Sequence, residues 1–375
     1  MNRKIYLSSP CMCGEEQKFV KEAFDTNWIA PLGKNVNEFE ALIRQYLGTK
    51  GAVAMSAGTA AIHMSLRALG VGAGDIVFCQ SMTFSASANP IIYQNATPVF
   101  IDSEPDTWNM SPEALRKAFE KYPNPKAVIV VHLYGTPAKM DELMAICNEH
   151  NVPLIEDAAE GLGGEYKGKK LGSFGKYGIL SFNGNKIITT SGGGMLVSDD
   201  EESLARVLKW ITQAREPALW YQHEELGYNY RMSNVVAGIG RGQMTALADH
   251  VDQKTKIYNK YKEAFEALPV TMQPYEACAK PNHWLSAMTV DKGCDVSPFD
   301  IIAMLSEQNV ESRPIWKPMH MQPFYEGCDY FAHNDEYSVS EDVFGRGICL
   351  PSDFYPQMTE EEHDEIIELI KNMFN

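Results

Sequence analysis

From about Ala52 to Glu156 the chain repeats one pattern, a short apolar β-rich run followed by a stretch with helical periodicity. Ala52–Met55, Ile76–Cys79, Pro98–Ile101, Ala127–His132 and Pro153–Glu156 read as buried strands. Thr59–Leu69, Ser85–Tyr93, Pro112–Lys121 and Lys139–Glu149 read as the amphipathic helices between them. Strands joined through helices do not pair as hairpins. They build a mostly parallel sheet covered on both faces, an α/β fold. Sites in such sheets lie beyond the carboxyl ends of the strands, so the turns after these runs are where chemistry is to be sought.

Two further strands, Tyr177–Phe182 and Gly194–Val197, read as closely spaced, and then the texture changes. Glu201–Gln213, Asn234–Leu247 and Val251–Leu268 are helical in pattern. After Pro269 come shorter pieces: Trp284–Val290, Pro298–Gln308, Val310–Pro314 and a terminal helix Thr359–Met373. With 375 residues, two domains are expected. The boundary falls near the long helix, giving a large domain of residues 1–250 and a smaller α+β domain of residues 251–375.

A formal charge of −16 argues against a nucleic-acid or anionic-membrane partner. A phosphorylated ligand would therefore need local donors such as helix N-termini. The eight cysteines form no Cys-x-x-Cys pair or Cys/His cluster, so no metal and no disulfide framework is expected. Reduced thiols, with no apolar signal core at the start and no membrane span, point to the cytoplasm.

Lys186 sits in Ser181-Phe-Asn-Gly-Asn-Lys186-Ile-Ile-Thr-Thr-Ser-Gly-Gly-Gly194, between the two closely spaced strands. A lone lysine is nearly always a solvated surface residue, so its weight comes from its surroundings. Upstream, Leu154-Ile-Glu-Asp157-Ala-Ala-Glu160 ends a buried strand with adjacent acids, and alternation sends Glu156 and Asp157 to opposite faces. An amine can form a Schiff base with an aldehyde cofactor, and a carboxylate can keep that cofactor's ring nitrogen protonated. That pairing describes pyridoxal phosphate. Asp157 is assigned to the ring nitrogen and Glu160 to the ring's phenolic edge.

Ser56-Ala-Gly-Thr59 follows a strand and opens a helix, where a phosphate would meet backbone N–H groups and the helix dipole. Gly58 would permit close approach, Thr59 would add a hydroxyl, and Ser181 is a further phosphate candidate. Phe84 follows the next strand and could stack on a flat ring, although a core aromatic is an equal reading locally. Gly192-Gly-Gly194 would let the backbone return from the lysine turn. Asn229 and Arg231, in Gly227-Tyr-Asn229-Tyr-Arg231, could bind a phosphate or carboxylate, or belong to a surface turn. Gly238-Ile-Gly-Arg-Gly242 is no dinucleotide loop, since no strand precedes it and its apolar spacing is that of a helix interior. Arg313-Pro-Ile-Trp-Lys-Pro-Met-His320 gathers a cation, an aromatic and an imidazole that could grip a diphosphate or a base, or pack between domains.

Taken in order, these segments resemble the DegT/DnrJ/StrS sugar aminotransferases, fold type I pyridoxal phosphate enzymes, over essentially the whole chain. Trp28-Ile-Ala-Pro-Leu-Gly33 and Phe39-Glu40 add to the match. The resemblance implies that Lys186 is the cofactor-bound lysine and Asp157 the partner of the ring nitrogen. Phe84 takes the stacking position, and Gly58, Thr59 and Ser181 hold the phosphate. It implies that Asn229 reaches the phosphate of the other subunit, hence a homodimer with composite sites. The family often has His or Gln where this chain has Glu160, which alters that contact. Relatives with histidine in place of the lysine are dehydratases, and Lys186 argues against that branch. A regulator using the same fold without catalysis is the other alternative. The run Asn183–Gly194 looks most like the subgroup that aminates C4 of nucleotide-linked 4-keto-6-deoxy sugars, as in the UDP-N-acetylbacillosamine pathway. L-glutamate would be the donor, and a GDP- or dTDP-linked sugar or C3 amination is the runner-up. Asn183, Arg313 and His320 are the candidate substrate contacts.

Overall fold

Ala127-Val-Ile-Val-Val131 has no polar side chain and every residue is buried, as a central strand covered on both faces requires. The computed structural model, which describes residues 1 and 3–374, places it fifth in an eight-stranded sheet. From edge to edge the sheet runs Gly51–Met55, Gly194–Ser198, Tyr177–Ser181, Leu154–Asp157, Ala127–Val131, Ile76–Gln80, Thr97–Ile101 and Tyr330–Phe331. Only Gly194–Ser198 opposes the common direction, pairing antiparallel with both of its neighbours. The expected α/β sheet is therefore the observed one. Alternate side chains fill two separate cores. Phe78, Val128 and Val130 face one, while Val77, Cys79 and Ile129 face the other.

The helix Asn234–Met244 crosses helices Glu16–Asp25 and Lys34–Leu47 at very short range. A Cβ on Gly240 would lie 2.6 Å from the Phe39 ring, and one on Gly242 would lie 2.5 Å from the Glu16 backbone. The glycine run is thus a helix-packing surface, as its apolar spacing suggests. The following helix, Leu247–Ala264, carries Tyr258 and Tyr261 into a third core. That core lies against an antiparallel sheet in the order Val270–Met272, Ser286–Val290, Gly347–Leu350 and Arg313–Pro314.

Two connections cross between these parts. Tyr330–Phe331 pairs parallel with Thr97–Ile101 on the main sheet's edge. Ile5 pairs with Val310 and is buried in the third core. This pairing shortens the strand expected over Val310–Pro314 to Arg313–Pro314. The amide of Ile5 bonds to Asn309 O and that of Glu311 to Ile5 O, so the N-terminal segment takes the backbone groups a longer strand would use. Among the described residues no helix is long and apolar enough to cross a membrane.

Candidate active site

The strands ending at Met55, Gln80, Asp157 and Ser181 deliver their following turns to one cavity of about 440 Å³. At one end begins the helix Gly58–Ala68. Its preceding residue, Ala57, is extended and has no side chain able to accept from the first turn. The leading N–H groups of that helix lack intrahelical partners and carry the positive end of its dipole. Thr59 and Ser181 line the same end. A Cβ on Gly58 would sit 3.2 Å from Ser181 Cβ, so glycine keeps this corner open. Gly194 does something other than free the backbone. A Cβ there would meet the Ala57–Gly58 backbone at 2.3 Å, so its role is close approach of two segments of the chain.

Asp157 lines the same cavity, buried, with Oδ2 accepting from Ser87 Oγ at 2.7 Å and Oδ1 from Ala159 N at 3.2 Å. Burial pushes its carboxyl above the usual aspartate range, opposed by those two bonds and by the Lys186 charge. Glu160, also buried, accepts from Tyr134 N at 2.7 Å and lies 3.3 Å from Lys186 Nζ. Burial raises this carboxyl too, against the pull of Lys186. The lysine itself is set by a turn in which its amide bonds to Asn183 O at 3.0 Å. Its Nζ stands 4.0 Å from the centre of the Trp284 ring.

Phe84 precedes the helix Ser85–Tyr93 and is more than half exposed on the cavity wall, its ring 5.6 Å from that of Trp316. The core-aromatic alternative is therefore discarded. Asn183 lines the mouth and is exposed.

Three candidates stay outside this chain's cavity. Asn229 is exposed in a segment bridged to Thr212. Arg313 is exposed and paired with Glu311 at 2.6 Å. His320 is wedged between Ser81 Oγ at 2.7 Å and Glu341 Oε1 at 3.1 Å, stacked on Tyr330. Sequence reading missed Trp284, Leu7 and Ser87, all of which line the cavity. Of these only Ser87 had a signal, since it stands one helical turn after Thr83 and the two hydroxyls bond at 2.7 Å.

The sequence matches the model of the DegT/DnrJ/EryC1/StrS aminotransferase family over residues 10–371. The chain belongs to that family. EpsN of Bacillus subtilis (strain 168), provisionally described as a pyridoxal phosphate-dependent aminotransferase, is 53% identical over all of this chain and 97% of its own. GDP-perosamine synthase of Caulobacter vibrioides is 35% identical over 97% of this chain and 96% of its own. Among solved structures, Spr1654 of Streptococcus pneumoniae in its PLP form, provisionally described as a sugar aminotransferase, superposes with a TM-score of 0.90. It is 26% identical, with 98% of each chain covered.

The protein is thus a pyridoxal phosphate-dependent sugar aminotransferase, as the resemblance implied. The cavity's own chemistry suits the cofactor. An uncapped helix start can accept a phosphate. A buried carboxylate with only two neutral donors can accept a proton-bearing ring nitrogen.

Proposed function

We propose that the protein transfers the amino group of L-glutamate to the C4 ketone of a nucleotide-linked 4-keto-6-deoxy sugar, UDP-2-acetamido-2,6-dideoxy-4-ketohexose. One observation carries the reading: the Lys186 amine and the Asp157 carboxylate line the same cavity as the uncapped helix start at Gly58. The likeness of Asn183–Gly194 to C4-aminating relatives carries the choice of carbon and sugar. A second reading, a GDP-linked sugar, is favoured by the 35% identity to GDP-perosamine synthase.

Pyridoxal phosphate supplies a carbonyl that joins amino groups and an electron-poor ring that makes the adjacent C–H bond acidic. Gly58 and Thr59 amides with the Thr59 and Ser181 hydroxyls hold the phosphate. Asp157 keeps a proton on the ring nitrogen, and its desolvation strengthens that charge pairing. Phe84 covers one ring face, and Glu160 addresses the phenolic oxygen. Lys186 would be the residue that joins the cofactor's aldehyde, and its free amine would be the base for the donor's Cα proton and the acid that supplies one to the sugar's C4, with the cofactor carrying the amino group and electron pair between the two half-reactions. Glu160, 3.3 Å away, orients that amine. Asn183 contacts the sugar at the mouth.

The active unit in this reading is a cytoplasmic homodimer, with Asn229 completing the neighbouring subunit's phosphate site. Its exposure outside this chain's cavity supports that, as do exposed Trp28, Ile29, Leu32 and Trp220. The eight thiols, none in a disulfide, suit a reducing compartment. Residues 1–250 form the cofactor-holding part and 251–375 the smaller one, which brings Trp284 and Trp316 to the cavity. Arg313, paired with Glu311, and His320, held by Ser81 and Glu341, would serve the sugar nucleotide by exchanging those partners for it.

The test has two arms. Glutamate alone should bleach the cofactor's visible band and release 2-oxoglutarate, and a panel of nucleotide-linked 3-keto and 4-keto sugars should yield a 4-amino product from one UDP sugar. Lys186→Ala should lose the lysine-bound band and slow turnover about a thousandfold. Normal turnover in that variant would end the mechanism.

A further inference from the structure

The carbonyls on either side of Lys186 are both held from outside its loop. Asn185 O accepts from Trp284 Nε1 at 2.6 Å and from Ser8 Oγ at 3.3 Å. Ile187 O accepts from His250 Nδ1 at 2.9 Å. His250 and Lys254 stand one turn apart on the helix Leu247–Ala264, and Lys254 Nζ donates to that same Ser8 hydroxyl at 3.1 Å. Across from Lys254, at 3.8 Å, is Asp353 Oδ1. Its two oxygens accept from Ser9 N at 2.8 and 3.0 Å. Leu7, two residues before Ser9, has its carbonyl bonded to Ser352 N and lines the cavity. The order of contacts is helix, Lys254, Ser8, Asn185, Lys186.

We propose that Lys254, with Asp353, is a positioning residue for the reaction: it fixes Leu7–Ser9 against the lysine loop so that the Lys186 amine is presented at one angle to the cofactor. The proposal rests on the aminotransferase reading above. Its energetics point away from a stabilising role. Burial pushes the Lys254 ammonium down to about 8, against Asp353 and the Cys11 thiol. Burial pushes the Asp353 carboxyl up, against Lys254 and the bonds from Ser9. Both shifts run toward the uncharged forms, so desolvation outweighs the pair's attraction. A buried pair of that kind contributes little to stability or opposes it, and what it supplies is geometry.

The two roles make opposite predictions for Lys254→Met/Asp353→Asn, which removes both charges and leaves Ser9 N an acceptor. Positioning requires a melting temperature no lower than that of the starting protein. It also requires the glutamate half-reaction to slow at least tenfold with its KM within about twofold, because small misplacements of a reacting group reduce rate before affinity. The visible circular dichroism of the bound cofactor should weaken alongside. Ser8→Ala, which buries no charge, should slow the same step about threefold to tenfold. In the cofactor-free protein it should quicken amide exchange across residues 183–190. Arg3→Ala, cutting a different N-terminal tether, to Glu362, should leave every reading unchanged. Starting-protein rates and dichroism in both Ser8→Ala and the double variant would overturn the proposal, as would unchanged exchange in Ser8→Ala. A starting protein that does not react with glutamate at all would instead remove the function on which it rests.

Discussion

The two faces of the strand Leu154–Asp157 end in neighbouring carboxylates, both buried, with opposite surroundings. Glu156 is saturated. Its Oε1 takes His132 Nε2 at 2.9 Å and the Gly172 amide at 2.5 Å, and its Oε2 takes the amides of Phe174 and Gly175 at 2.7 and 3.3 Å. The His132 ring is oriented by accepting from Ala138 N at its other nitrogen. Asp157, one residue on, has one hydroxyl and one amide and faces the cavity. A buried carboxylate with several backbone donors belongs to the scaffold, holding the Gly172–Gly175 turn under the sheet. One left with capacity toward open space is waiting for a charged partner.

The sharpest way to break this contrast is Glu156→Gln. Its amide nitrogen would face backbone N–H groups, leaving donors without acceptors in a dry interior. We expect a loss of about 3 kcal/mol in denaturant unfolding, the upper end for leaving a buried donor unsatisfied. If stability held, Glu156 would not be a scaffold group. Asp157→Asn should behave the opposite way. Turnover should fall on the order of a hundredfold, as for loss of one preorganised electrostatic contact. The cofactor-free protein should be no less stable at neutral pH, because a desolvated charge has been removed.

The pH sign follows. A carboxyl raised in the folded state binds more protons there than in the unfolded chain. The stability linked to that proton is present below the ordinary aspartate range and disappears as pH rises through the raised value. Subtracting the melting curves of cofactor-free Asp157→Asn from those of the starting protein should show that decline. A flat difference would mean that the Asp157 carboxyl is not raised in the folded protein.

Period-two alternation was enough to separate Glu156 from Asp157, and strand–helix alternation was enough to locate the strand ends that converge on the cavity. Lys186 was legible because its turn is local. Contacts made across the fold were not. Trp284 meets Lys186 across 98 residues of chain, and nothing near Trp284 announces it. The added edge strand Tyr330–Phe331 is held to Thr97–Ile101 by backbone pairing, which leaves no pattern in two residues. Arg313 and His320 have the chemistry of nucleotide contacts. Sequence does not report which way a side chain points, and here Glu311 and the Ser81–Glu341 pair hold them elsewhere.

The smallest expected effect extends the contrast from carboxylates to helix starts. The helix Glu360–Asn372 begins with a complete capping box. Thr359 accepts from Glu362 N, and the Glu362 side chain accepts from Thr359 N at 2.8 Å. The helix Gly58–Ala68 begins after Ala57 with nothing, and it alone of the two opens on the cavity. Thr359→Ala should therefore lower stability by about 1 kcal/mol and leave cofactor affinity untouched. Ala57→Ser offers the second helix the cap it lacks, so the cofactor-free protein should melt slightly higher while its affinity for pyridoxal phosphate drops, since the new hydroxyl would occupy an amide the phosphate needs. Equal or tighter cofactor binding in Ala57→Ser, measured by fluorescence titration, would mean that the phosphate is held somewhere other than this helix start.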